Sequence, residues 1–340
     1  MKVKAVDIAR KLGISKATVS LALNNKPGVN PKTKEQIFEC KRRLENCEID
    51  FRDESRIFEK KGDTIKIVIM DAGANISINA ELDLWTDVCA VFNQVAKSWG
   101  CKLDISYFDV KNDTKEGLGA ICNKEDVLGV IIMATELISG DGSLLHEIDK
   151  PLIVYDADVG GRKYSSVMIN NADGIRNAME YLFSKEKKNV VYLAMDDEIY
   201  NFISRRQGYT DFLREHNVRL DDVQIVTVGK SIASIYKKLG AYLDRNQLPD
   251  AFIGESYHIS VAAIRLFHDR GIRLKDDVSF IGVDELPDYL TGGHALTTVK
   301  VPHTERARLA MNLLKHEIDE SPSSKSKIFT NCKLIEGDTA

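Results

Sequence analysis

The stretch VDIARKLGISKATVSLALN, residues 6–24, reads as two short helices joined by a tight turn. Val6, Ile8, Ala9 and Leu12 fall on one helical face, and Gly13 ends that helix where a residue without Cβ is favoured. Ser15 then stands at an N-cap position, and Ala17 to Leu23 begins a second helix. Two helices joined by about three or four residues that include glycine form the helix-turn-helix pattern, whose second helix can enter the major groove of DNA. A plain helical hairpin packed on its own core fits the same residues, so the stretch alone leaves both readings open.

Charge separates them. The whole chain carries −4, while residues 1–45 hold eleven Lys/Arg and four Asp/Glu, a net of +7. The rest therefore carries −4 − 7 = −11. A basic head on an acidic body suggests that only the head meets phosphate. At 340 residues, 44% hydrophobic and 29% charged, the chain suits two or three globular units. No apolar run approaches the roughly 18 to 20 residues of a membrane span. The N-terminus lacks the apolar core of a secretory signal, so a cytoplasmic protein with no membrane partner is expected. Six scattered cysteines, with no Cys-x-x-Cys and no nearby histidine set, point to reduced thiols rather than a metal site or a disulfide framework.

After Asn24 comes the turn signal Asn25-Lys26-Pro27-Gly28. Thr33 to Leu44 reads as a third helix, with Pro31 in its first turn and Ile37, Phe38, Cys40 and Leu44 facing inward. VDIARKLGISKATVSLALNNKPGVNPKTKEQI closely resembles the DNA-binding domain of the LacI/GalR family of bacterial transcription regulators: the Ala-Thr-Val-Ser tetrad, the Leu-Asn pair and the later Val-x-x-x-Thr stand at that family's spacing. The resemblance implies that Ser15, Lys16 and Ala17 open a recognition helix facing base edges. Thr18, Ser20 and Asn24 would contact phosphates or fix the helix in the groove, as small residues, hydroxyls and amides can. Leu21 departs from the family, many of whose members carry a guanine-reading Arg there; it offers only apolar contact, for example with a thymine methyl. The linker, residues 46–63, departs further: it lacks the family's proline and its leucine wedge, and its acidic residues would be repelled by phosphate. A solvated helix is expected there, with Phe51, Ile57 or Phe58 as the alternative wedge into DNA.

From Thr64, short Val/Ile-rich runs alternate with amphipathic segments. Ile65–Met70, Leu103–Tyr107, Val130–Met133 and Leu152–Tyr155 read as strands, with a helix from Leu82 to Trp99 closed by Gly100 and another at Lys115–Cys122. A second alternation runs from the helix at Ala172 to the strand ending at Val283. The expected fold is an all-α helix-turn-helix domain, then an α/β two-lobed body with parallel sheets covered on both faces. Ligands of such sheets sit beyond the strands' carboxyl ends. The body also resembles the family, which uses the fold of periplasmic sugar-binding proteins, in SSVMINNADGIRNAMEYL, SRRQGYTDFL, DDVSFIGVDE and ALTTVKVP. The family's order puts lobe one at about 64–158 plus 291–320, and lobe two at about 159–290 plus 321–340.

By that resemblance Arg205, three before Gly208, would bond a sugar hydroxyl or an anionic group. Asp284, ending Ile-Gly-Val-Asp, and Asp156, ending Ile-Val-Tyr-Asp, would join it, since charges at strand ends can grip hydroxyls. Ser256 and Tyr257 replace the family's Asn-Asp, and Asn79 to Leu82 replaces its two aromatics; Trp85 and Tyr257 remain as flat faces for a sugar to stack on. The whole implies a homodimeric regulator, by the family's habit a repressor. Two heads would read a double-stranded operator, and a sugar or sugar phosphate between the lobes would tune affinity, with a corepressor protein as a conceivable further partner. No heptad tail follows Gly337, which favours a dimer over a tetramer. The alternative is a cytosolic carbohydrate-sensing protein whose head no longer binds specific DNA. No nucleotide-binding motif, cofactor or metal is indicated. The seven histidines lie in no His-x-x-x-His or Gly-x-Ser-x-Gly setting and read as structural or solvated, which places an enzyme last.

Overall fold

A computed structural model describes residues 5–12, 14–24, 26, 28–45, 63–74, 84–138, 141–160, 163–218 and 224–340. The chain divides into two units, one ending at Glu59 and the other beginning at Lys60. In the first, α1 (Ala5–Leu12), α2 (Lys16–Leu23) and α3 (Pro31–Glu45) enclose a small core of Ile8, Ala9, Val19, Ala22, Ile37 and Cys40. Ser15 caps α2, its hydroxyl accepting the Thr18 N–H at 3.0 Å. Phe38, expected inward, is 43% exposed. Ile37 and Cys40 already take the inward positions, and the next residue after Ile37 is turned about 100° away around the helix. The linker expectations (Phe51, Ile57, Phe58) and those for Leu44 and Asn79–Leu82 lie outside the described residues and side chains.

The second unit opens with β1 (Thr64–Asp71), α4 (Leu84–Ser98), β2 (Lys102–Asp109), α5 (Lys115–Cys122), β3 (Val127–Met133), β4 (Leu152–Tyr155) and β5 (Ser165–Asn170). Then come α6 (Asn171–Ser184), β6 (Val190–Met195), α7 (Tyr200–Glu215), β7 (Gln224–Gly229), α8 (Ile232–Leu243), β8 (Ala251–Gly254), α9 (Tyr257–Asp269), β9 (Ser279–Val283) and β10 (Thr298–Lys300). It closes with α10 (His303–Glu320), β11 (Lys327–Asn331) and β12 (Lys333–Ile335). Gly100 follows α4 with φ 81°, the left-handed geometry that suits a glycine stop.

Two six-stranded sheets result, ordered β11-β5-β4-β3-β1-β2 and β12-β10-β9-β8-β6-β7. Every pair in the first is parallel, and in the second only β10–β12 is antiparallel. Position by position the two sheets correspond, so β4 and β9 occupy the same place in their lobes. Burial on both faces explains the unbroken apolar runs: β3, β4 and β9 are buried at nearly every position.

The crossings between lobes differ from those expected near Asp158, near Leu290 and after α10. Asp158 and Leu290 are not boundaries. Lobe one continues to Asn170, because β5 pairs with β4 (Ile153 with Ser165) and β11 pairs with β5. Lobe two continues through β10, after which α10 returns to pack on α4, β3, β4 and β5. The tail, expected wholly in lobe two, is divided: β11 completes the first sheet and β12 the second. Backbone pairing decides these boundaries, and the order of apolar runs carries no sign of it.

Gly208 on α7 shows how closely the helices meet. A Cβ there would lie 2.4 Å from the Ala172 carbonyl oxygen and 2.7 Å from the Ala172 Cα on α6. Neither is a side chain that could swing aside. Gly208→Ala should therefore destabilise the second unit by roughly 1–3 kcal/mol, as overpacking does, and calorimetry should show a lower melting temperature for that unit.

Candidate functional site

Two surfaces carry the chemistry anticipated from the sequence. On the head, Ser15, Lys16, Ala17, Ser20 and Asn24 are exposed, while Thr18 and Leu21 are half-buried. Several of these groups are already engaged. Ser15 Oγ lies 2.8 Å from Thr18 Oγ1 besides capping the helix, and the Asn24 amide donates to the Ser20 carbonyl at 2.8 Å. Hydroxyl and amide thus brace the two ends of α2 and leave Lys16 as the one cation on its exposed start.

Between the lobes, the carboxyl ends of β4 and β9 present Asp156 and Asp284. Both residues hold positive φ, 78° and 70°, a conformation that aspartate tolerates better than most residues. It turns each side chain off its strand end, at the same place in the two sheets. Asp156 Oδ2 accepts from Thr135 Oγ1 at 2.8 Å and from Asn201 Nδ2 at 3.1 Å. Arg306 Nη2 lies 2.8 Å from Asp156 Oδ1. Asp284 Oδ1 meets His303 Nε2 at 2.8 Å. Arg205 donates from Nε to Asn171 Oδ1 and from Nη1 to the Glu255 carbonyl, both at 2.7 Å; Asn171 in turn donates to Asn201 Oδ1 at 2.7 Å. One hydrogen-bonded chain therefore runs Arg205–Asn171–Asn201–Asp156. Two of the site's links cross the lobes directly: Asn201 of α7 to Asp156, and His303 of α10 to Asp284.

Burial sets the electrostatics. It would raise the Asp284 pKa, but the charge and hydrogen bond of His303, with Arg205 and Arg306 beyond, hold that carboxyl below the usual range. Burial likewise opposes the charge on Arg306, and is outweighed by Tyr155, Asp156 and Asp284, so its pKa rises. Glu255 is pushed up by burial against the pull of Arg206, whose Nε and Nη2 reach its two oxygens at 2.7 and 2.9 Å. That pair fastens α7 to the end of β8, directly behind Arg205.

These groups surround a pocket of about 60 Å³. All six anticipated contacts line it: Trp85, Asp156, Arg205, Ser256, Tyr257 and Asp284. Thr135, Asn201, Phe202, His258 and His303 line it too and were not anticipated. Thr135 follows the end of β3 and could have been found from the strand-end rule. His303 and Asn201 begin helices that point at the cleft, which no motif marks. A broader hollow of about 560 Å³, containing the Lys300–Glu285 pair at 2.6 Å, shares His303 with the pocket and opens beside the crossing strands.

Residues 6–45 match the family model described as bacterial regulatory proteins, lacI family, and residues 179–340 match a periplasmic binding protein-like domain. Curated relatives align end to end. The HTH-type transcriptional regulator MalR of Clostridium butyricum is 23% identical over 98% of both chains. The probable HTH-type transcriptional repressor ExuR of Bacillus subtilis is 25% identical over 98% of this chain and 97% of its own. The chain carries a lacI-family helix-turn-helix domain and a periplasmic binding protein-like domain. Solved structures share the fold. The transcriptional regulator CelR–cellobiose complex has a TM-score of 0.70 at 19% identity, covering 100% of each chain. The lac repressor dimer bound to operator and an anti-inducer has 0.69 at 19%, covering 100% of this chain and 99% of its own. The family's members are transcription regulators rather than enzymes. No helix among the described residues is long and apolar enough to cross a membrane.

His258, stacked on Tyr257 at 3.8 Å, gives the site a pH signature. Burial lowers its pKa from 6.5 to about 4, with Asp197 opposing. The folded protein keeps it uncharged down to that value, whereas the unfolded chain takes up the proton near its ordinary pKa of about 6.5. Stability is therefore full above about pH 6.5 and is lost as the pH falls towards 4. Urea titrations at several pH values should show this decline in the wild type and a flatter profile in His258→Gln.

Proposed function

We propose that this protein is a lacI-family, sequence-specific DNA-binding transcription regulator, acting as a repressor in the cytoplasm. Its operator affinity is controlled by a small sugar-like ligand held between the two lobes. The observation that carries the reading is the interlobe pocket, where Asp156 from lobe one meets Arg205 and Asp284 from lobe two. A polyol bonded to both lobes at once favours one lobe arrangement over another, and that differential affinity is what coupling to DNA requires. The sugar complex of CelR and the operator complex of the lac repressor support the same division of labour. A homodimer follows from the symmetry that near-palindromic operators demand. The reading needs no second protein partner.

On the head, Ser15, Lys16 and Ala17 face base edges, Leu21 offers apolar contact such as with a thymine methyl, and Thr18, Ser20 and Asn24 contact phosphates or fix the helix in the groove. The full-length protein should select a near-palindromic site from a random duplex pool, with affinity falling steeply as salt rises. Lys16→Ala should weaken binding and reduce the salt slope by roughly one if Lys16 meets phosphate. A protein that selects no sequence would support the ligand-sensing alternative instead. In the cleft, Arg205→Ala should cost roughly ten- to a hundredfold in ligand affinity, the worth of a charge-assisted hydrogen bond. Operator affinity in the absence of ligand should remain, and titration calorimetry beside fluorescence anisotropy separates the two effects.

A further inference from the structure

We propose that the Arg206–Glu255 pair, which does not line the interlobe pocket, is what holds Arg205 in its ligand-binding position. The proposal rests on the pocket being the effector site. Arg205 lines that pocket, and two of its nitrogens are already engaged: Nε on Asn171 Oδ1 and Nη1 on the Glu255 carbonyl, each at 2.7 Å. Where the guanidinium lies therefore depends on where that carbonyl lies. Glu255 is the first residue past β8, and its N–H still reaches the Leu193 carbonyl at 3.1 Å. Its own carbonyl lies beyond the ladder, because the pairing of β8 with β9 stops at Ile253 and that with β6 at Gly254. Among the described residues no backbone N–H reaches it. Its direction is left to the Glu255 side chain.

That side chain is fully buried and saturated. Oε1 accepts from Arg206 Nε at 2.7 Å and from the Tyr192 hydroxyl at 3.2 Å. Oε2 accepts from Arg206 Nη2 at 2.9 Å and from the Met195 N–H at 2.8 Å. A carboxylate offers about four lone-pair sites, and all are met. Arg206 Nη2 also donates to the carbonyls of Met195 and Asp197, at 2.8 and 3.0 Å, which ties the pair to the end of β6. Arg205 and Arg206 are consecutive on α7 and so point about 100° apart around it. Both nevertheless end on Glu255, one on its carbonyl and the other on its carboxylate. A single helix grips that residue at both ends.

Packing alone does not call for these charges. Apolar residues of similar volume often replace a buried ion pair with no loss of stability. What apolar residues cannot supply is direction. A bidentate fork sets both the distance and the plane of its carboxylate. A group that orients a binding residue from behind governs affinity without touching the ligand.

Titration calorimetry on the full chain tests this, with cellobiose, sucrose, ribose, glucose and galactose as probes and the tightest of them carried into the variants. Arg206→Lys keeps a cation beside Glu255 and loses the fork; it should bind that probe about tenfold more weakly. Arg206→Met/Glu255→Leu removes both charges, should melt at or near the wild-type temperature, and should bind at least as weakly. In an Arg205→Ala background, Arg206→Lys should change affinity by less than about twofold, because the residue it positions is gone. A general loosening of the fold would instead cost the same factor in both backgrounds, and that result overturns the proposal. So does either variant binding as tightly as wild type. A crystal structure of the double variant gives a readout free of ligand: Arg205 should leave the carbonyl of residue 255, and an Arg205 still seated there overturns the proposal. A wild type that binds none of the probes counts against the effector site and not against the positioning, which the variant's structure decides.

Discussion

Two buried carboxylates, one at a strand end in each lobe, set the terms for the rest of the body. A charge taken out of water is expensive unless cations and hydrogen bonds meet it. Asp156 is met by Arg306, Thr135 and Asn201, and Asp284 by His303 with Arg205 near by. Those partners come from different elements and from both lobes. α7 reaches the network only because Gly208 lets it press on α6, and Arg205 is held from behind by Asn171 and the Glu255 carbonyl. Packing that seems remote from the cleft therefore decides where its charges sit.

The same constraint explains what a ligand can do there. Hydroxyls that replace Asn201 on Asp156 exchange a bond between lobes for a bond to the ligand. The lobe arrangement and the occupancy of the pocket then become one equilibrium. Equal affinity for both arrangements would shift nothing, so regulation depends on contacts that exist in only one of them. The Asn201–Asp156 and His303–Asp284 links are the contacts of that kind on view.

Much of this was legible in the chain. Asp156 and Asp284 end apolar runs that read as buried strands, and the family resemblance placed them, with Arg205, in the effector cleft; Ser15 came from the N-cap preference. His303, Asn201 and Arg306 were not legible, because each lies in an ordinary helix and gains its role from a neighbour more than a hundred residues away, or in another lobe. The lobe boundaries failed for a related reason. β5, β10, β11 and β12 are short, and which sheet a short strand joins is settled by pairing that its own residues do not announce. Phe38 shows the limit on a single helix, where an apolar residue adjoining the inward face still turns to solvent.

The central claim is that the cleft and the DNA-reading head share one free energy. Linkage makes this measurable from both ends: operator affinity with and without a saturating pocket ligand, and ligand affinity with and without operator. Both ratios should equal one another and differ clearly from one, as reciprocity requires. A ligand that binds the cleft while leaving operator affinity unchanged would contradict the account.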